Sequence, residues 1–172
     1  MSKLLKDHAN VLGAISASGE IIGRKKLQKM VYIAKRLQFP FQEKFQYHFY
    51  GPYSEELTLR VEELCDMGFL QEVKEKKGGY IQYRYALAEA GDEFLEHVGR
   101  PDAALQSVLT NMNDKSSRFL ELVSTVLYFE HLPKAEVTEK IFTLKSKNRY
   151  TVEEVEEAYT YIASLREQAP LS

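Results

Sequence analysis

The residues that could do chemistry are few and scattered. Four histidines, His8, His48, His97 and His131, stand far apart in a chain of 172 residues, and none belongs to a His-Glu-x-x-His or Cys-x-x-Cys pattern that would seat a metal. The single Cys65 sits at the edge of an apolar helical stripe, the place of a small buried thiol and not of an activated nucleophile. No Gly-x-Ser-x-Gly elbow is present, and Gly78-Gly79 lacks the following Lys-Ser/Thr of a phosphate loop. The carboxylate pairs Glu62-Glu63 and Glu153-Glu154 read as solvated. The expectation is a protein that is not an enzyme, with no catalytic residue, metal or cofactor.

What remains is binding chemistry. Lys25, Lys29, Tyr32 and Arg36 recur on one side of a helix, with Arg24 and Lys26 beside them. This stripe is either a solvated face or a docking surface for an acidic partner or a nucleic-acid backbone. Tyr47, His48, Phe49, Tyr50 and Tyr53 concentrate aromatic area around Gly51-Pro52, and serve either as core and turn or as anchors of an interface. Lys74, Lys76 and Lys77 offer further cations for nucleic acid, diluted by Glu72 and Glu75.

Charge is divided along the chain. Residues 1 to 50 carry nine Lys/Arg against three Asp/Glu, and the rest fourteen against twenty-two, although the net charge is only -2. At 44% hydrophobic and 28% charged, the composition is that of an ordinary globular protein with a sizeable core. One cysteine cannot build a disulfide framework, which fits a reducing cytoplasm. The opening residues, broken by Lys6, Asp7 and His8, do not read as a signal peptide. No apolar run approaches the roughly 20 residues of a membrane span.

The elements that must position these groups follow from periodicity. Leu4, Leu5, Val11, Leu12 and Ile15 predict a helix closed by Ser18-Gly19. After Gly23 a second helix puts Leu27, Met30, Val31, Ala34 and Gln38 on its apolar face and runs to Pro40. Phe45 to Tyr50 reads as a strand that turns at Gly51-Pro52. Ser54 caps a helix over 54–67, with Glu55 and Glu56 in its first turn and Gly68 at its end. Phe69 to Lys74 and Tyr80 to Leu87 form a hairpin around Lys76-Lys-Gly-Gly79.

Helix, helix, strand, helix, hairpin is the winged-helix order. The fold class expected is mainly α with a small β-hairpin wing: a winged helix-turn-helix over 1–98, followed by a helical extension over 99–172 packed on it. In the extension, helices are expected over 101–112, 117–131, 134–145 and from Thr151, where Thr151 and Glu154 make a capping box. Seventy residues in four short helices make a thin core alone.

Two segments carry a family resemblance: Lys26-Leu-Gln-Lys-Met-Val-Tyr-Ile-Ala34 and Tyr47-His-Phe-Tyr-Gly-Pro-Tyr-Ser-Glu-Glu-Leu57. Together with their spacing they resemble the core of the Panacea domain, typified by SocA-like antitoxins, and the histidine-aromatic form is similar to the YwgA-like group of bacterial proteins. The match covers residues 20 to about 95. It implies protein binding, as antitoxin or proteolytic adaptor, and no catalytic residues.

DNA is the alternative partner, and a homodimer is compatible with either reading. Against DNA, the helix at 54–67 that would enter the major groove carries Glu55, Glu56, Glu62, Glu63 and Asp66 against one Arg60. That charge repels phosphates, which supply most DNA affinity.

Overall fold

Apolar periodicity draws the first helix, α1 (Lys3–Ser18), in a computed structural model that describes residues 2–169. Ser2 caps it, its hydroxyl accepting from the Leu5 amide, and Gly19 ends it at a φ of 80°. The chain continues through β1 (Ile21–Ile22), α2 (Arg24–Arg36), β2 (Gln46–His48), β3 (Gly51–Tyr53), α3 (Glu55–Asp66), β4 (Leu70–Lys77) and β5 (Tyr80–Leu87). Then come α4 (Glu89–Val98), α5 (Ala103–Asn113), α6 (Ser117–Tyr128), α7 (Lys134–Leu144), a 3-10 turn at Ser146–Asn148, and α8 (Val152–Gln168). The protein is mainly helical, with small antiparallel sheets.

One sheet has the order β1-β5-β4, antiparallel throughout; the other is the β2-β3 hairpin. The long hairpin pairs Leu70 with Leu87 and continues in register to Lys77 opposite Tyr80, so the turn is the two residues Gly78-Gly79. Gly78 takes a φ of 56°, which favours glycine. At the base of this hairpin, Gly91 of α4 lies so close to the Phe69 carbonyl that a Cβ there would stand 2.1 Å from the oxygen. Hydrogen is the only side chain that fits.

Two sequence expectations need correction. α2 ends at Arg36 and not at Pro40, because Gln38 adopts a positive φ of 75° and the Phe39 amide turns back to the Ala34 carbonyl. Gln38 is therefore exposed and does not join the apolar face. The short hairpin turns at Phe49-Tyr50, two residues before Gly51-Pro52, which are instead the first residues of β3.

The core is continuous. Leu12 and Ile15 of α1, Met30 and Ile33 of α2, Leu57 and Leu64 of α3, Leu109 of α5, Leu120 and Val126 of α6, and Leu165 of α8 belong to one buried cluster. Each such side chain stabilises by roughly 1.5–3 kcal/mol on leaving water. α2 packs against α5, α6 and β3, α1 packs against α5, and α6 against α8. The capping box of α8 forms as expected, Thr151 and Glu154 exchanging their side-chain bonds.

Candidate functional site

α6 covers most of the side of α2 on which the basic stripe lies, and this changes the meaning of Lys29, Tyr32 and Arg36, while Lys25 at the start of the helix stays exposed. Lys29 is 2% exposed and Tyr32 4%, so neither belongs to a solvated face. The Lys29 ammonium donates to the Pro52 carbonyl at 2.8 Å. Burial lowers its pKa to about 8, against the pull of Glu121, and the neighbouring charges of Lys145 and Lys25 lower it further. Arg36 is half-buried, donating to the Tyr32 hydroxyl at 3.0 Å, the Leu127 carbonyl at 2.6 Å and Glu130 at 2.6 Å. Glu130 also receives Arg166 of α8. Lys26 donates to the Asn113 carbonyl at 2.5 Å. A basic helix face becomes an interior one because carbonyls and carboxylates of later elements come to meet it.

Above Lys29 sits the β2-β3 hairpin, held by side chains from three directions. Gln28 clamps Ser54, its amide oxygen accepting from the Ser54 N–H at 2.9 Å and its amide nitrogen donating to the Ser54 carbonyl at 3.0 Å and to Thr58 Oγ1 at 3.1 Å. Ser54 in turn caps α3 by accepting from the Leu57 amide. From the far end of the chain Lys145, 3% exposed, donates to the Phe49 carbonyl at 3.1 Å and pairs with Glu121 at 3.3 Å. Gly51, at a φ of 92°, lets the backbone pass Lys29 and Thr125; a Cβ would lie 3.6 Å from each.

The aromatic cluster divides accordingly. Tyr47 is half-buried against Tyr128 and Phe129, ring centroids 5.2 and 5.3 Å away, and burial raises its phenol pKa. Tyr53 bonds Thr58 at 2.9 Å and packs on His48. Phe49 and Tyr50 point out, 76% and 50% exposed, in an edge-to-face pair. Lys25 lies 3.3 Å over the Tyr50 ring, a cation–π contact that fixes the tip of the hairpin to α2.

These tips form one lip of a cleft of about 500 Å³. Leu27, Leu57 and Val61, all buried, form its floor, Arg24 and Lys25 stand on the α2 side, and Glu62 on the α3 side. Arg24 closes the sheet end: its guanidinium donates to the Tyr85 hydroxyl at 3.2 Å, approaches Glu72 at 3.5 Å and covers the Tyr83 ring. Tyr85 donates to Glu72 at 2.6 Å, and burial holds its phenol above the ordinary range.

The cleft therefore brings together Arg24, Lys25, Lys29, His48, Tyr50 and Tyr53 of the residues that the sequence singles out. It leaves Tyr32, Arg36 and Tyr47 behind it in the packing with α6. Lys26 is tied to α5, and Lys74, Lys76 and Lys77 stand apart on β4. All three are exposed, and Lys77 lies 3.8 Å from Glu75.

Gln28, Glu121 and Lys145 are functional neighbours that sequence patterns do not reveal. Glu121 alone had a signal, as the one carboxylate in the apolar run from Leu120 to Leu127.

α3 presents exposed Glu55, Glu56, Glu62 and Asp66. Its one cation, Arg60, turns inward to Glu63 at 3.2 Å, Glu43 at 3.8 Å and Asp7 at 3.9 Å. Glu43 is buried there, and burial raises its carboxyl pKa. Glu63 also takes His8 at 3.1 Å, so it is not a free solvated carboxylate, and Glu154 is likewise engaged by Arg118. Cys65 is half-buried and its thiol pKa is raised by burial. Among the described residues no group of His, Cys, Asp and Glu could hold a metal ion, and no helix is long and apolar enough to cross a membrane.

Fold and cleft define a class: a mainly helical protein with small antiparallel sheets and a cleft bounded on one side by an aromatic hairpin. No family model matches the chain. As a whole sequence it is 60% identical over 164 residues to the uncharacterized protein YwgA of Bacillus subtilis (strain 168), a match covering 95% of this chain and 99% of that one. The chain belongs to the YwgA family.

Proposed function

We propose that the protein is a non-enzymatic protein-binding module of the bacterial cytoplasm, antitoxin-like or adaptor, whose partner docks at the cleft and its aromatic lip. The observation that carries this reading is the pair Phe49 and Tyr50, large aromatic side chains left in water yet fixed by Lys145 and Lys25. Exposed apolar groups on a rigid rim are the usual form of an interface anchor. In the same reading the order α1-β1-α2-α3-β4-β5, with β1 against β5, is a winged helix of Panacea type used as a scaffold. The acidic outer face of α3 and the inward turn of Arg60 speak against a reading helix in the major groove.

The test is affinity capture with the tagged chain from an extract of the bacterium that encodes it, beside a Phe49→Ser/Tyr50→Ser variant shown by circular dichroism to melt as the parent does. A stoichiometric protein recovered by the parent and lost by the variant is expected. Equal recovery by both, or none in several growth states, refutes the reading. A second reading, DNA binding through the wing, is favoured only by exposed Lys74 and Lys76. It requires affinity that falls steeply with salt.

A further inference from the structure

The cleft is electrically divided. On its α2 side Lys25 is exposed and Arg24 keeps 58% of its side-chain surface in solvent. On its α3 side Glu62 is exposed and, among the described residues, enters no ion pair. Glu72 offsets Arg24, which it meets at 3.5 Å while accepting from the Tyr85 hydroxyl, so the cation left uncompensated at this end is Lys25. Between the two walls the floor is packed Leu27, Leu57 and Val61, none more than 6% exposed, and the accessible apolar surface is that of Phe49 and Tyr50 at the lip. A volume of about 500 Å³ falls in the range of roughly 300–1,000 Å³ typical of ligand pockets.

We infer that the cleft takes a peptide segment of a partner protein in which bulky apolar side chains are flanked by a carboxylate on one side and a cation on the other. The carboxylate meets Lys25, and the cation meets Glu62. An all-acidic ligand such as nucleic acid places phosphate against Glu62 and the acidic row of α3. An all-basic segment places its charge against Lys25. Only an occupant of both signs finds each wall complementary, and the two walls then fix the direction in which it lies. This inference rests on the protein-binding reading and adds to it the chemistry of the bound segment.

Its test uses the isotope-labelled full chain and three blocked peptides, observed by amide chemical shifts. The peptides are acetyl-Glu-Phe-Leu-Lys-amide, the uncharged acetyl-Gln-Phe-Leu-Gln-amide, and acetyl-Glu-Ala-Ala-Lys-amide without the apolar pair. The first is expected to bind about tenfold more tightly than either of the others (~1.4 kcal/mol) and to shift Leu27, Thr58, Val61 and Tyr85. Lys25→Gln and Glu62→Gln, both on exposed side chains, each reduce the preference for the charged peptide over the uncharged one, and together they abolish it. Equal binding of the first two peptides, shifts that map outside the cleft, or no binding by any peptide overturns the inference. If a captured partner still depends on Phe49 and Tyr50 while the peptides fail, protein binding survives and the two-signed chemistry does not. If the charged peptide binds in the cleft and no partner is captured, the two-signed chemistry stands and docking through Phe49 and Tyr50 falls.

Discussion

The two hairpins of this protein are held by opposite means. β4 and β5 pair over eight residues each, gain β1 as a third strand at Ile21 and Ile22, and keep most side chains of β4 in water. Their shape comes from their own backbone ladder. β2 and β3 pair over three residues, a length that is at best marginal on its own, and they stand in place because Gln28, Lys29 and Lys145 hold Ser54, Pro52 and Phe49. A long ladder keeps its form whatever surrounds it, whereas a short one records the state of its tethers. The hairpin that carries the exposed aromatics is the tethered one.

Cutting a tether is the strongest way to break this contrast. Lys145→Met removes the donor to Phe49 and leaves Glu121, with only 12% of its side chain exposed, short of its cation. A loss of about 3 kcal/mol is expected in chemical denaturation, since an uncompensated buried charge costs that much. The amides of residues 46–51 and 53 should exchange hydrogen faster, and those of β4 and β5 should change no more than global stability requires.

The second test is pH. Lys29 titrates at about 8 in the folded chain and at 10.5 when unfolded, so above pH 8 the unfolded chain holds a proton that the folded one has released. Stability therefore rises with pH from about 8 to about 10, by roughly 2–3 kcal/mol. Above 10 the slope reverses, because Tyr85, Tyr150 and Tyr161 are all kept protonated by burial while unfolded tyrosines ionise. The difference between the parent and Lys29→Met isolates the rise and cancels the opposing pull of Cys65. A difference that stays flat between pH 8 and 10 would show that Lys29 is not desolvated.

The smallest effect belongs to the other hairpin. Replacing Lys74, Lys76 and Lys77 together by Ser should change the unfolding free energy by less than about 0.5 kcal/mol, as for other solvated surface sites. A larger change would mean that the long hairpin also depends on its side chains.

Much of this frame is legible in the residues. Ser18-Gly19, Ser54, Gly78-Gly79 and the Thr151/Glu154 box each state a local rule, and the chain obeys it where it stands. The apolar face of α2 reads equally well from Leu27 to Ala34 and fails only at Gln38. Its polar face does not, because whether a lysine is solvated or buried depends on acceptors that the helix itself lacks. For Lys29 the acceptor is a carbonyl in a later strand, and for Lys145 it is the Phe49 carbonyl at the hairpin tip, 96 residues away. Gly51-Pro52 misleads for a related reason. The pair is turn-forming chemistry, yet here glycine supplies the positive φ of 92° with which β3 begins, and the turn itself falls on Phe49 and Tyr50. The cleft was legible in its parts and not in its assembly.

The lysines of β4 have one more consequence. β4 is the outer strand of its sheet, and its free backbone edge can in principle accept a strand from another molecule. Three lysines in four positions put positive charge along that edge, so two copies brought together there repel before their backbones pair. Charge on an edge strand opposes the growth of sheets from one molecule to the next. The serine variant that folds as well as the parent should be the one that clouds first.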